Sequence, residues 1–236
     1  MKFLLCVGAE KAGTTWLYEY FKQHPDYHDI GKELNILQRD SLVPTFVDNL
    51  AHKKDIEKYF SDISYINKTT GDFTHYEGST ENIFRLIKNG LKKYDIDVVP
   101  VYIMREPISR AWSAYNMVGG NNTDNFDLPK PANFLIKNFL ECKYKETVTA
   151  LDNVFSEPLY FFYEDFFKQE NIDLICEKLD ISRMEADVDN IINKGMYSTI
   201  PNTFIETFCL TKKNNDAMIF VRERFSNVPW DNTYFK

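Results

Sequence analysis

Three things are scarce in this sequence. No apolar run reaches membrane-spanning length, and the run near the start, Phe3 to Val7, leads straight into a glycine loop. A spanning helix needs about 20 such residues and an export leader a longer apolar centre, so neither a membrane partner nor a leader is expected. Basic residues are outnumbered, 28 Lys and Arg against 35 Asp and Glu, giving a net charge of -7. That balance excludes a general nucleic-acid binder, which needs a basic face, but leaves room for a local basic pocket around a nucleotide. Cysteine is sparse as well: Cys6, Cys142, Cys176 and Cys209 stand far apart and form no C-x-x-C pair. A disulfide framework and a cysteine-built metal site are set aside, and reduced, buried thiols suit a cytoplasmic protein. No internal repeat or low-complexity tract occurs.

What is present is a globular composition, 44% hydrophobic and 27% charged, which sets disorder aside. At 236 residues the chain can bury one α/β core, so a single domain over residues 1–236 is expected. Apolar runs at Phe3–Val7, Val98–Met104 and Pro158–Phe162 read as buried parallel strands. Pro100, inside the second, predicts an edge strand or an early strand position. Helical spacing fills the intervals. One or two surface helices over 43–63 are placed to line a cleft, and a helix over 79–93 starts after Ser79 as its cap. Further helices are read over 133–155, 170–180 and 213–226, with Trp230 closing the core. Gly119 to Pro131 has loop composition. The alternation implies an α/β fold: a central parallel β-sheet flanked by helices, in three layers. A ligand would sit at the carboxyl ends of the strands.

The stretch from Leu5 to Pro25 organises the rest. A buried strand enters a loop of small residues, Gly8 to Gly13, and Thr14 opens a helix whose Trp16, Leu17, Tyr20 and Phe21 share one face. The first N–H groups of a helix lack internal partners and carry partial positive charge, so this arrangement holds a phosphate. Gly8 and Gly13 have the separation of a Walker A loop, G-x-x-x-x-G-K-[ST], but Thr14 stands where the lysine belongs. The cation is Lys11, inside the loop. His24-Pro25 ends the helix, and His24 reads as a structural boundary residue.

Lys11-Ala12-Gly13-Thr14-Thr15-Trp16-Leu17 resembles the 5′-phosphosulfate loop of sulfotransferases that use 3′-phosphoadenylyl sulfate (PAPS). The resemblance implies that Lys11 meets the bridging oxygen of the transferring sulfate, that Thr14 and Thr15 bind the 5′-phosphate, and that Trp16 stacks on adenine. Arg105-Glu106-Pro107-Ile108-Ser109-Arg110-Ala111-Trp112-Ser113-Ala114-Tyr115 is similar to the family's 3′-phosphate segment, Arg-Asn-Pro-x-x-Arg-Ala-x-Ser-x-Tyr. It implies a phosphate held by the Arg105 fork and the Ser113 hydroxyl, with Pro107 opening a helix and Arg110 either helping or bracing it. Glu106 departs from the usual Asn and leaves those two roles intact.

Lys32-Glu33 resembles the Lys-Glu motif of the carbohydrate branch, whose glutamate is the proposed general base; the aromatic residue that should follow is replaced by Ile36-Leu37. Thr69 to Tyr76 is similar to the Gly-Glu-x-Ser-Pro-x-Tyr segment, with Asp72 for the glutamate and His75 for the proline, and Thr74-His75 resembles the Thr-His pair that supplies the base in the cytosolic branch. An alcohol is a poor nucleophile, so a positioned base, Glu33 or His75, must take its proton. Tyr163-Glu164-Asp165 resembles the cytosolic Tyr-Glu-Asp segment and implies Tyr163 near adenine; Glu164 and Asp165 could instead cap the helix that follows. Beyond Ser182 the resemblance fades, and Asn193-Lys194-Gly195 is a weak substitute for the family's closing loop.

These residues imply sulfuryl transfer from PAPS to a hydroxyl on a carbohydrate or small molecule, releasing adenosine 3′,5′-bisphosphate (PAP) without a metal. Golgi members of the family carry an anchor and disulfides; the expectation here is cytoplasmic. A P-loop kinase would need Mg²⁺ and the missing Walker lysine, and a non-catalytic nucleotide-binding module would bind PAP without transfer.

Overall fold

In a computed structural model of the chain, residues 1–34, 50–117, 142–189 and 212–230 are described, with positions 200, 202, 204 and 205. Strand β1 (Lys2–Gly8) leads to α1 (Thr14–Gln23), and α2 (Leu50–Ser64) precedes β2 (Thr70–Asp72). Then come α3 (Glu81–Lys92), β3 (Asp97–Met104), α4 (Pro107–Met117), α5 (Tyr144–Val154) and β4 (Leu159–Phe162). The short α6 (Tyr163–Phe166), α7 (Gln169–Leu179) and α8 (Lys212–Arg224) follow.

The four strands pair in parallel in the order β2-β1-β3-β4, flanked by helices, as the alternation implies. Strand β1 has neighbours on both edges, which is why Phe3 to Val7 form an unbroken apolar run with no accessible surface. Burying each such side chain contributes about 1.5–3 kcal/mol.

Strand β2 has no counterpart in the sequence reading. It is three residues long and centred on Gly71, too short and too bare for an apolar run to show. The glycine is required by its neighbour: a Cβ there would lie 2.5 Å from the Leu4 carbonyl oxygen of β1.

Pro100 is not on an edge. It sits midway along β3, paired with Leu5 of β1. The sheet tolerates it because of register. Ile103 gives its carbonyl to Ala9 on the β1 side, so alternation turns Pro100 to the other side. There the β4 pairing begins only at Val101, opposite Leu159, and no ladder hydrogen bond is lost.

Helix α3 buries Phe84, Ile87 and Leu91 as its spacing predicts. Its cap is Thr80 rather than Ser79, in an extended conformation and with no side-chain capping bond. Helix α2 buries Ile56, Tyr59, Phe60 and Ile63 and packs on α3, where Gly90 makes room for the Phe60 ring. The helix predicted over 133–155 is described from Tyr144 to Val154, and that over 170–180 spans Gln169–Leu179 with Lys168 as N-cap. Glu164 and Asp165 therefore do not cap it. Trp230 is buried in the common core. Asn35 to Leu37, Gly119 to Pro131 and Asn193 to Gly195 lie outside the described residues. No helix among the described residues is long and apolar enough to cross a membrane.

Candidate active site

The chain leaves β1 for β2 on one edge, then crosses back to β3 on the other. In such sheets the crevice at the carboxyl ends of the strands, where the order reverses, is the natural binding place. A cavity of about 210 Å³ lies there. Its walls come from the ends of all four strands: Lys11 and Gly13 to Trp16 after β1, His75 after β2, Arg105 after β3 and Tyr163 after β4. Lys32, Glu33 and Ser113 line it as well. A groove of about 1000 Å³ bordered by Gly78, Cys142, Lys143 and Phe220 is larger but holds none of the motif residues.

The loop after β1 turns through two left-handed residues, Lys11 at φ 65° and Gly13 at φ 87°. Gly13 is the N-cap of α1 and supplies no side-chain acceptor, so the helix's first N–H groups stay open to a ligand. A side chain at Gly13 would also meet the Phe167 ring, whose Cζ lies 3.0 Å from the Cβ position. Thr14 is buried and Thr15 half-buried, both on the cavity wall. Ala12 is fully buried, does not line the cavity, and donates its N–H to the Ala9 carbonyl at 3.2 Å.

Lys11 reaches across to the end of α4, where its Nζ lies 3.4 Å from the Met117 Sδ. Burial lowers its pKa, and the nearby Arg105 and Lys32 cations push the same way against Glu10.

Arg105 leaves the end of β3 with its backbone clamped by Tyr144. The Arg105 N–H donates to Tyr144 Oη at 3.3 Å, and that hydroxyl donates to the Arg105 carbonyl at 2.6 Å. The guanidinium stacks on the Tyr163 ring, 4.1 Å from its centre, and its Nη1 donates to the Lys11 carbonyl at 2.8 Å. Its Nε is buried and has no partner among the described residues.

Glu106 is the acceptor for the start of α4: its Oε1 takes the Ile108 N–H at 2.9 Å and its Oε2 that of Ser109 at 2.7 Å. The carboxylate thus caps the helix that carries Ser113 to the cavity wall. Glu164 accepts the Glu106 N–H at 3.0 Å and the Trp230 Nε1–H at 2.8 Å, fastening α6 to the turn before α4 and to the core.

Arg110 is a brace. Almost wholly buried, it donates from Nε to the Glu10 carbonyl at 2.9 Å and grips both oxygens of Glu77, at 2.7 Å to Oε1. Loop, α4 and the turn after β2 are thereby tied at one point.

That turn is built on Asp72, which accepts from the Thr74 N–H at 2.8 Å and from the Tyr76 and Tyr59 hydroxyls at 2.7 and 3.4 Å. Burial raises its pKa against the pull of those hydrogen bonds. The Tyr76 N–H reaches the Val7 carbonyl and the Phe73 N–H the Lys32 carbonyl, pinning both segments beside β1. His75 and Glu33 are thus brought together, 3.6 Å from Nε2 to Oε1, with Lys32 3.0 Å from the same oxygen. Burial lowers the His75 pKa, and Glu33 opposes the shift.

Trp16 lines the cavity but is only 5% exposed, edge-on to Phe166 and Phe167, with its Nε1 donating to the Asp187 carbonyl at 3.2 Å. His24 is bound to the Ser182 carbonyl at 2.9 Å and does not line the cavity. Helix α2 contributes nothing to the cavity among the described residues. Three wall residues carried no sequence signal of their own: Glu10, Met117 and Phe167. Helical spacing would have pointed to two of them, since Met117 lies four residues after Ser113 and Phe167 four after Tyr163.

No protein-family model matches the chain, and no curated protein does. Solved structures do. The sulfotransferase domain of a Synechococcus olefin synthase is similar over 98% of this chain and 90% of its own, with a TM-score of 0.54 at 15% identity. The sulfotransferase domain of the curacin biosynthetic pathway is similar over 98% of this chain and 92% of its own, with a TM-score of 0.50 at 14% identity. The chain has the fold of these sulfotransferase domains.

Proposed function

We propose that this protein is a sulfotransferase that moves a sulfuryl group in line from PAPS to a hydroxyl acceptor, a carbohydrate or a small molecule. One observation carries the reading: the uncapped loop helix with Lys11, the Arg105–Ser113 segment and the His75–Glu33 pair all face a single cavity. Two features suit a nucleotide bearing several phosphates. The first N–H groups of α1 are open to an anion, and Arg105 has a buried Nε without a partner among the described residues.

The donor, when bound, supplies a sulfuryl group already activated on a phosphate leaving group. Lys11 and the α1 N–H groups stabilise charge on the departing phosphate oxygen, which is where preorganised donors contribute most. Arg105 and Ser113 hold the 3′-phosphate and fix the register of the donor. The His75–Glu33 pair takes the acceptor proton as the oxygen–sulfur bond forms. Tyr163, braced by Arg105, flanks the base of the nucleotide. Buried thiols at Cys6, Cys142 and Cys176 support a reducing, cytoplasmic setting.

Calorimetric titration with PAP, beside 5′-AMP and ATP without added metal, tests the reading. Preference for PAP is the expected result; equal or absent binding overturns it. Mg²⁺-dependent consumption of ATP would instead establish the kinase.

A further inference from the structure

Lys11 has an unusual companion. Met117 is the last residue of α4, one helical turn beyond Ser113, and its thioether stands 3.4 Å from the Lys11 ammonium. A thioether is a weak acceptor, so it guides the cation without holding it. Met117 is also 52% exposed, whereas Met104 and Met218 are 0% and 1% exposed in the core. The side chain is therefore open to solvent and a small oxidant, while its sulfur stands beside the loop cation.

We propose that Met117 is an oxidation site that controls Lys11: its sulfoxide captures the ammonium and weakens the anion site. The chemistry needs only hydrogen peroxide. A sulfur lone pair attacks one peroxide oxygen, the O–O bond breaks and water leaves; the sulfur loses two electrons and the peroxide gains them. The new S=O carries a strong, partly negative oxygen beside Lys11 Nζ. It makes a charge-assisted hydrogen bond where the thioether made a weak one. A phosphate must then compete for the cation. Methionine sulfoxide reductase reverses the change. The inference rests on the proposed role of Lys11 as the cation that meets the donor.

The test treats the whole protein with hydrogen peroxide, maps sulfoxides by peptide mass spectrometry and titrates PAP before and after. Met117 should oxidise well ahead of Met104 and Met218. The PAP dissociation constant should rise about tenfold, the loss of one charge-assisted contact, and reductase should restore it. Met117→Leu should show the same constant before and after peroxide, which also removes Met1 oxidation as the cause. Unchanged affinity in protein oxidised at Met117, or the same loss in Met117→Leu, overturns the proposal.

If untreated protein fails to bind PAP, the functional reading falls, and acylation of Lys11 by acetic anhydride reads the contact independently. A sulfoxide that captures the ammonium slows that labelling several-fold; an unchanged rate refutes the capture.

Discussion

At the scale of single residues, Lys11 and His75 carry the sharpest consequences. Under the proposed mechanism, Lys11→Ala removes a donor aimed at developing charge, and such losses cost on the order of 10²–10³ in turnover. Its left-handed backbone and its carbonyl bond to Arg105 do not depend on the side chain, so the circular dichroism spectrum should be unchanged while transfer falls. His75 has a pKa held below the ordinary 6.5 by burial. A depressed pKa means that the unfolded chain binds the proton more readily, so this residue favours folding above about pH 6.5 and disfavours it below. Under the proposed mechanism, transfer should fade over the same acid range, as the His75–Glu33 pair becomes protonated. An NMR titration of the imidazole should give a midpoint below 6.5, and Glu33→Gln should lower it further by removing the opposing carboxylate.

At the scale of elements, the joint between α4, the phosphate loop and the turn after β2 is the point of greatest leverage. Arg110 and Glu77 are buried to 5% and 9% side-chain exposure. Glu77→Gln leaves the guanidinium uncompensated, at a cost of about 3 kcal/mol. Chemical denaturation should read that loss. PAP affinity should fall too, because the same guanidinium holds the Glu10 carbonyl. Glu106→Ala removes a cap instead and should cost about 1 kcal/mol. The two segments with the clearest motifs were legible in the sequence because their chemistry is local: the turn from Gly8 to Thr14, and the spacing of Arg105, Pro107 and Ser113 along one strand end and one helix. Strand β2 was hidden because Gly71 serves the Leu4 backbone rather than an apolar pattern. Likewise, the meeting of Glu33 and His75 depends on a bond from Phe73 to Lys32, which no spacing announces. Pro100 misled for a related reason: its tolerance is set by where a neighbouring strand begins.

At the scale of the whole molecule, ligand and fold are coupled, since the cavity draws on the ends of all four strands. A ligand that binds only the native state at a hundred times its dissociation constant adds about 2.7 kcal/mol to stability. For a chain of 236 residues that amounts to roughly 5–10 °C in Tm. PAP should produce that shift in a thermal melt at the matching saturation. AMP at the same concentration should produce a smaller one, because it lacks the 3′-phosphate that the proposed function assigns to Arg105 and Ser113.

The pairing of β1 with β3 has a consequence for how the chain is made. Lys2 meets Asp97, so about 95 residues must follow before the partner strand exists. At roughly 5–20 residues per second, a ribosome exposes Phe3 to Val7 for on the order of 5–20 s with that edge unpaired. During that interval the strand most deeply buried in the finished protein is the one most open to chaperones, and to other nascent copies of itself.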